Sequence, residues 1–289
     1  MLVSKKNTRT VVGKVITYLL LITICFLFVL PFLWMIRSSV IPLHEILKMP
    51  IVWIPENIVL SNFTQALTVL PFGRFFMNTT IILVLSVMGI LFSGTLAAYS
   101  FSRLDWPGRD IVFYILMTTL MLPSFATLIP TFLGWRSVGA LNSYLPLIIP
   151  NWFCGGATGS FSSVFYIFLL RQFFMGIPKD LDEAAKVDGA SHLRVYFQII
   201  LPLAKPAIMV VVLFASFSIW NDFLSPSIYL NEVEKYTLNL GLRLFSGMYN
   251  AQWNLMMAAA TVVTIPPIIL FAFGQKYFIE GITFSGIKG

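Results

Sequence analysis

Charge is what this sequence has least of. Only 11% of its 289 residues are Asp, Glu, Lys or Arg, where a soluble domain carries about 25%. With 58% hydrophobic residues and a mean hydropathy of +0.86, the chain has more apolar surface than one soluble core can hide. The bilayer is its expected solvent. Cysteine and histidine are nearly absent. Cys25, Cys154, His44 and His192 lie far apart, which excludes a disulfide framework and zinc-ligand spacing, so no metal site is expected. No lysine follows the stretch Gly155-Gly156-Ala157-Thr158-Gly159-Ser160. It therefore lacks the group a Walker loop brings to the phosphates, and a flexible or closely packed helix start is the plainer reading. No part of the chain is expected to bind ATP. No cluster of His, Asp and Glu, nucleophile elbow or zinc motif supports a membrane-embedded enzyme.

What the sequence does have is long uncharged runs. Val15 to Ile36 is free of charge over 22 residues, behind Lys5, Lys6, Arg9 and Lys14. A secretory signal has a shorter apolar core, about 7–15 residues, so this run reads as a retained first span. Arg37 to Arg74, with Pro42, Pro50, Pro55 and Pro71, reads as a partly extended outer segment with one short helix near Phe63 to Leu70. Spans are then expected in Phe75–Ser102, Ile111–Trp135, from within Asn151–Ser163 to Leu170, from Pro206 through Asp222, and in Asn254–Gln275. The second carries Gly89, Gly94, Ala97 and Ala98, small residues that let helices approach closely in lipid. Arg136 to Pro150 and Glu232 to Trp253 read as outer loops.

Six spans place both termini on one side. That side carries thirteen of the nineteen Lys and Arg residues, in segments 1–14, 103–110, 171–205 and 276–289. The positive-inside rule makes it the cytoplasmic side. The net charge of +7 is explained this way rather than by nucleic acid, because the charges are sparse and separated by apolar runs.

One polar island, Arg171 to Lys205, interrupts the apolar chain. Asp180 can cap a helix, with Glu183 at capping-box spacing. Leu181, Ala184, Ala185 and Asp188 then share one flat, alanine-lined face. Gly189 ends this helix as a residue free to take positive φ. Ser191 can cap a second short helix, with Leu193, Tyr196 or Phe197, and Ile200 on its apolar face. Pro202 closes it and leads into the fifth span. From the residues alone, a helix that docks into a partner's cleft and an ordinary amphipathic connector fit equally well.

A family resemblance decides between them, carried by the pattern Glu-Ala-Ala, three residues, Gly, nine residues, Ile, one residue, Leu-Pro. Here it is Glu183-Ala184-Ala185, Gly189, Ile199 and Leu201-Pro202. It resembles the signature loop of ABC importer permeases, with every spacing intact. Pro71-Phe72-Gly73-Arg74, Tyr99-Ser100-Phe101-Ser102-Arg103, Phe168-Leu169-Leu170-Arg171-Gln172-Phe173-Phe174 and Trp220-Asn221-Asp222-Phe223-Leu224 resemble the carbohydrate-uptake branch. So do Tyr236-Thr237-Leu238 and the tail from Gln275-Lys276-Tyr277-Phe278 to Lys288-Gly289. The resemblance covers the whole chain and is closest to the second permease of maltose-type systems.

The resemblance implies an all-α membrane protein with a type I ABC importer transmembrane fold. It would be a single permease domain over 1–289, with a core of about 71–276, an extra N-terminal span (15–36) and an outer loop (37–74). It implies a pore subunit in the bacterial inner membrane that pairs with a second, different permease, two ATPase subunits and an extracytoplasmic solute-binding protein. ATP and Mg would be used by the ATPase, and no cofactor bound by this chain. The Glu183 helix would be the coupling helix, with Glu183, Ala184, Ala185, Asp188, Gly189, Ala190, Ile199, Leu201 and Pro202 at the ATPase-docking loop. The loop between the last two spans, with Gly241, Phe245 and Tyr249, would face the binding protein. The tail, with Gly286 and Lys288, would lie near the ATPase interface.

Asn221 and Asp222 are candidates for the substrate path, because an ionisable group in a span is a functional hypothesis. Capping a broken helix is an equally good reading of Asp222. A sugar-stacking role is assigned to none of the 27 Phe, 7 Trp and 10 Tyr residues, since most aromatics of such a chain face lipid or pack between helices. An ion-coupled secondary transporter is the alternative. It needs intramembrane carboxylates or paired broken helices, and apart from Asp222 no span holds an acid.

Overall fold

A computed structural model describes residues 3–46, 48–49, 53–55, 57–153, 155, 163–247 and 251–286, without the side chains of 3–11 and 278–286. The helices in chain order are α1 (Val3–Ser39), α2 (Leu43–Ile46), α3 (Ser61–Val69), α4 (Phe72–Arg103), α5 (Arg109–Thr119), α6 (Ser124–Ser137), α7 (Leu145–Trp152), α8 (Ser163–Gly176), α9 (Asp180–Val187) and α10 (His192–Val195). A π-helical turn (Tyr196–Ile200) leads to α11 (Leu201–Leu203), α12 (Lys205–Trp220), α13 (Leu224–Tyr229), α14 (Leu238–Leu242) and α15 (Trp253–Gly286), with 3-10 turns at Val233–Lys235 and Arg243–Phe245. No strand occurs among the described residues.

Two compact units form: Met1–Leu70 with Leu242–Thr264, and Pro71–Gly241 with Ile265–Gly289. In the first, α1 is apolar on every side and exposed from Val12 to Val29, as suits a helix whose solvent is hydrocarbon. Its C-terminal end is tied down. Asn62 Nδ2 donates to the carbonyls of Ser39 (3.0 Å) and Ile41 (2.9 Å), and its Oδ1 accepts from Asn254 Nδ2 (3.0 Å). Trp34 meets Trp53 edge to face. The short helix expected near Phe63–Leu70 is α3.

The second unit is built around α4. Its buried positions Phe75, Thr79, Ile82, Ser86, Ile90, Gly94, Ala98 and Phe101 recur every three or four residues, which places them on one helical face. That face packs against α7, α8 and α12. Gly89 admits the Trp152 indole, because a Cβ there would stand 2.4 Å from Trp152 Cδ1. Trp152 Nε1 then donates to the Leu85 carbonyl (3.0 Å). Further along the chain, Gly274 of α15 lies against Leu213 of α12.

Among the described residues, three helices are long and apolar enough to cross a bilayer alone: Val12–Ser39, Phe72–Arg103 and Trp253–Tyr277. The other expected spans differ from the sequence reading. The third is two helices, α5 and α6, bent by 97°, because Pro123 with its extended ψ of 127° starts α6 afresh. The fourth begins by Ser163 and runs six residues past Leu170 to Gly176, with Leu170 and Phe174 fully buried. The fifth stops at Trp220, so Asp222 lies beyond its end rather than inside it. Arg136–Pro150 is not a plain loop. It contains most of α7, whose apolar face packs on α4 because Leu147 is buried and Ser86 Oγ donates to its carbonyl. Glu232–Trp253 is likewise largely turned and helical, with Leu238, Leu240 and Phe245 buried.

Candidate functional site

The polar island folds into two short helices with a sharp bend. α9 opens with Asp180, Asp182 and Glu183 in its first turn, where acids favour the positive end of the helix dipole. Asp180 does not cap it. The cap position falls on Lys179, without a side-chain bond, and Asp180 sits inside the helix. At the other end the amides of Asp188, Gly189 and Ala190 close onto the carbonyls of Ala184, Lys186 and Ala185. Gly189 takes φ +78°, the left-handed conformation in which a Cβ is penalised. Ser191 then caps α10 through its Oγ, which accepts from the Arg194 amide (3.3 Å).

The exposed ridge of this element departs from the expected one at Ala185. Ala184, Glu183 and Asp188 are exposed, but Ala185 turns inward and packs on the core. Leu181 is exposed as expected, and Val187, which is 88% exposed, joins the ridge. In the second helix the inward side chains are Val195, Tyr196 and Ile200, while Leu193 and Phe197 are exposed. The π-helical turn at Tyr196–Ile200 shifts the register by one residue, so two adjacent residues, Val195 and Tyr196, both point inward. Ala190, Ile199 and Leu201 are half-buried, and Gly189 and Pro202 are exposed. Pro202 does not end the helix; it sits in the first turn of α11. The break comes at Ala204, with a 75° bend into α12.

This element is fastened to the end of α4 by residues the sequence reading did not assign to it. Arg103 Nη2 donates to the carbonyls of Phe174 (2.6 Å) and Ile177 (2.7 Å), and Nη1 reaches Asp182 Oδ2 (3.3 Å). The Tyr99 hydroxyl donates to the His192 carbonyl (3.1 Å). Thr95 Oγ1 lies 2.7 Å from the Tyr196 hydroxyl. Since Thr95 Oγ1 already donates to Leu91 O, Tyr196 is the donor in that pair. Arg171 stacks its guanidinium over Phe113 (4.1 Å) and donates to the Phe101 carbonyl. The basic residues that read as a topology signal also build this joint.

A second polar group gathers at the opposite end of α4. Asn78 Nδ2 donates to the carbonyls of Glu234 (2.9 Å) and Tyr236 (3.0 Å), and the Leu238 amide donates to Thr79 Oγ1 (2.9 Å). Asn142, held at φ +56°, donates to Glu232 Oε1 (2.6 Å) and accepts from the amides of Asn231 and Glu232. Lys235 and Asn142 together hold the exposed Glu232 carboxyl below the usual carboxylate range. Asn221 is exposed and bonds back to the Phe217 carbonyl. Asp222 Oδ1 accepts from the Ser225 amide (3.1 Å), a bond that caps the start of α13. Asp222 also lines a cavity of about 10 Å³ with Thr79, Asn151 and Thr237, the room one water needs and too little for a sugar ring.

The remaining candidates are separated. Gly241 is buried, with a Cβ there falling 2.4 Å from the Phe75 ring. Phe245 is buried in the first unit. Tyr249, Lys288, Cys154 and most of the Gly155–Ser160 stretch lie outside the described residues, as does everything about Gly286 beyond its place at the end of α15. Among the described residues no three His, Cys, Asp or Glu side chains gather as a metal site.

Residues 89–283 match the family described as the binding-protein-dependent transport system inner membrane component. Two relatives are of nearly the same length. The diacetylchitobiose uptake system permease of Streptomyces coelicolor is 30% identical over 90% of this chain and 84% of its own. The galactooligosaccharides transport system permease of Bacillus subtilis is 31% identical over 98% of both chains. A solved bacterial ABC transporter involved in import of the acidic polysaccharide alginate superposes with a TM-score of 0.79, at 25% identity, over 92% of this chain and 96% of the other. The chain belongs to the inner-membrane permease components of binding-protein-dependent transport systems.

Proposed function

We propose that this chain is one of two different permease subunits of an ATP-driven importer of sugars or oligosaccharides. The observation that carries the reading is the Glu183–Pro202 segment. Its signature spacing sits on a short exposed helix, bent at a glycine with φ +78° and fastened to the longest helix of the second unit. The sugar class rests on the relatives, whose named cargoes are a disaccharide, galactooligosaccharides and alginate.

In this reading the chain is a single permease domain crossing the membrane six times, with both ends in the cytoplasm, and it hydrolyses nothing itself. Two ATPase subunits bind ATP and Mg and receive α9 in a cleft. Glu183, Ala184, Asp188 and Gly189, joined by Leu181 and Val187, form the docking ridge. Ala185, Ala190, Ile199, Leu201 and Pro202 set its angle. The tail around Gly286 and Lys288 approaches the same ATPase. On the far side a solute-binding protein meets the segment around Gly241, Phe245 and Tyr249. Gly241 and Phe245 support its shape from within, so the contact falls on exposed neighbours such as Leu244. Asn221 and Asp222 border the path of the sugar.

The test is reconstitution of this chain in proteoliposomes with a second permease, an ATPase and a solute-binding protein of the same family of systems from the same genome. Uptake of labelled oligosaccharides that requires ATP, binding protein and this chain together is the expected result. Uptake driven by a proton or sodium gradient without ATP would sink the reading.

A further inference from the structure

Thr237 is 5% exposed, and its hydroxyl is buried without a hydrogen-bond partner among the described residues. A buried hydroxyl with no partner is unfavourable. Thr237 lines the cavity of about 10 Å³ that Thr79, Asn151 and Asp222 also border. The rest of its wall is apolar, as at Ile82 and Leu147.

The other three polar side chains all offer acceptors. Thr79 Oγ1 donates to the Phe75 carbonyl (2.9 Å) and accepts from the Leu238 amide (2.9 Å), which leaves it one lone pair. Asn151 Nδ2 donates to the Leu147 carbonyl (2.9 Å), and its Oδ1 can still accept. Asp222 Oδ1 accepts from the Ser225 amide (3.1 Å), and a carboxylate has about four lone-pair sites. None of the ion pairs among the described residues involves Asp222. The group that fits such walls accepts one proton, from Thr237, and donates two. Water does both, and it needs the volume of one probe sphere and two to four polar partners. A metal ion would leave the Thr237 proton unplaced, and an anion would meet the Asp222 carboxylate.

We propose that one ordered water is bound here, accepting from Thr237 Oγ1 and donating to Asp222 and Asn151. It ties together α4, α7, the break between α12 and α13, and the segment before α14, all within the second unit. Asp222 is a positioning residue in this role, and the hydrated joint holds whether or not the chain carries sugars.

The sign of one substitution tests this. Thr237→Val keeps the shape and removes the hydroxyl. With the water in place, its anchor is lost, and the melting temperature of the full chain in detergent should fall by about 2–4 °C. Without it, valine would merely remove an unsatisfied hydroxyl, and melting at or above the wild-type temperature would overturn the proposal. A crystal or electron-cryomicroscopy structure of the assembled transporter reads the site directly and decides if the valine variant fails to fold. The expected result is one solvent peak about 2.7–2.8 Å from Thr237 Oγ1 and from an oxygen of Asp222 or Asn151. A well-resolved cavity without a peak, a protein group bonded to Thr237 Oγ1, or a peak about 2.3–2.6 Å from several oxygens, as a metal ion would sit, would each overturn it.

Discussion

Trp152 lays the pyrrole edge of its indole on the bare Cα of Gly89, leaving 2.4 Å to where a Cβ would be. The same indole donates its N–H to the Leu85 carbonyl one turn earlier on α4. A rigid ring fixed at both points cannot retreat from an added methyl group. Gly89→Ala should therefore destabilise the second unit by about 1–3 kcal/mol. Gly73→Ala on the same helix, with nothing within 4 Å, should be neutral or stabilising. Thermal unfolding of both variants in detergent distinguishes them, and equal melting temperatures would refute the packing argument.

Gly189→Val should separate hydrolysis from uptake. A β-branched residue at φ +78° costs at least the roughly 1–2 kcal/mol of a left-handed residue with a Cβ, and the bend between α9 and α10 opens. Gly189→Asn should recover most of the function, because Asn tolerates this conformation. Uptake per ATP hydrolysed is the measurement, and a fully coupled Val variant would count against the bend.

Asp222→Asn should leave assembly unchanged, since Asn Oδ1 can still accept from the Ser225 amide. Asp222→Ala removes the acceptor and should cost about 1 kcal/mol of stability, as loss of a helix cap does. If Asp222→Asn assembles and melts as wild type but slows uptake, the charge itself serves the path. If complexes fail to form, the residue is structural.

Tyr196→Phe removes the donor to Thr95 Oγ1 and should cost about 0.5–1.5 kcal/mol. Thr95 keeps its own bond to Leu91, so no donor is stranded. Melting temperature and co-purification with the ATPase check this. A large loss of assembly would mean that Tyr196 does more than fasten α10.

The Glu232 carboxyl has its pKa lowered, first by Lys235 and then by Asn142. A lowered folded-state pKa means that its stabilising effect is complete above the unfolded value, about 4.3, and is lost as pH falls through the folded value. Glu232→Gln should thus differ from wild type at neutral pH and converge with it in acid. Melting curves of both proteins across that range test the sign, and divergence in acid would contradict it.

Much of this architecture was legible because the relevant physics is local. Gly189 follows a helical run and precedes a capping serine, so its positive φ could be read from three neighbouring residues. The small residues of α4 announced close packing for the same reason. Arg103 could not be read this way. A cation ending an apolar run signals topology, and its partners Phe174, Ile177 and Asp182 lie more than seventy positions along the chain. α7 was missed because Pro146 and Pro150 suggest a loop, although Pro146 sits in its first turn and Pro150 near its end. The inward turn of Ala185 and outward turn of Val187 depend on where α9 rests on the core, which helical spacing alone leaves free.

At 32 residues, α4 is about 48 Å long, against about 30 Å of hydrocarbon. One end grips Glu234, Tyr236 and Leu238; the other grips Asp182, His192 and Tyr196. A single stiff rod thus touches both surfaces on which partners are proposed to land. Thermodynamic linkage then applies in both directions. If a guest at the 232–238 end favours one tilt of the rod, the host of α9 must feel it as a change in affinity. The host's own preference returns to the guest by the same factor.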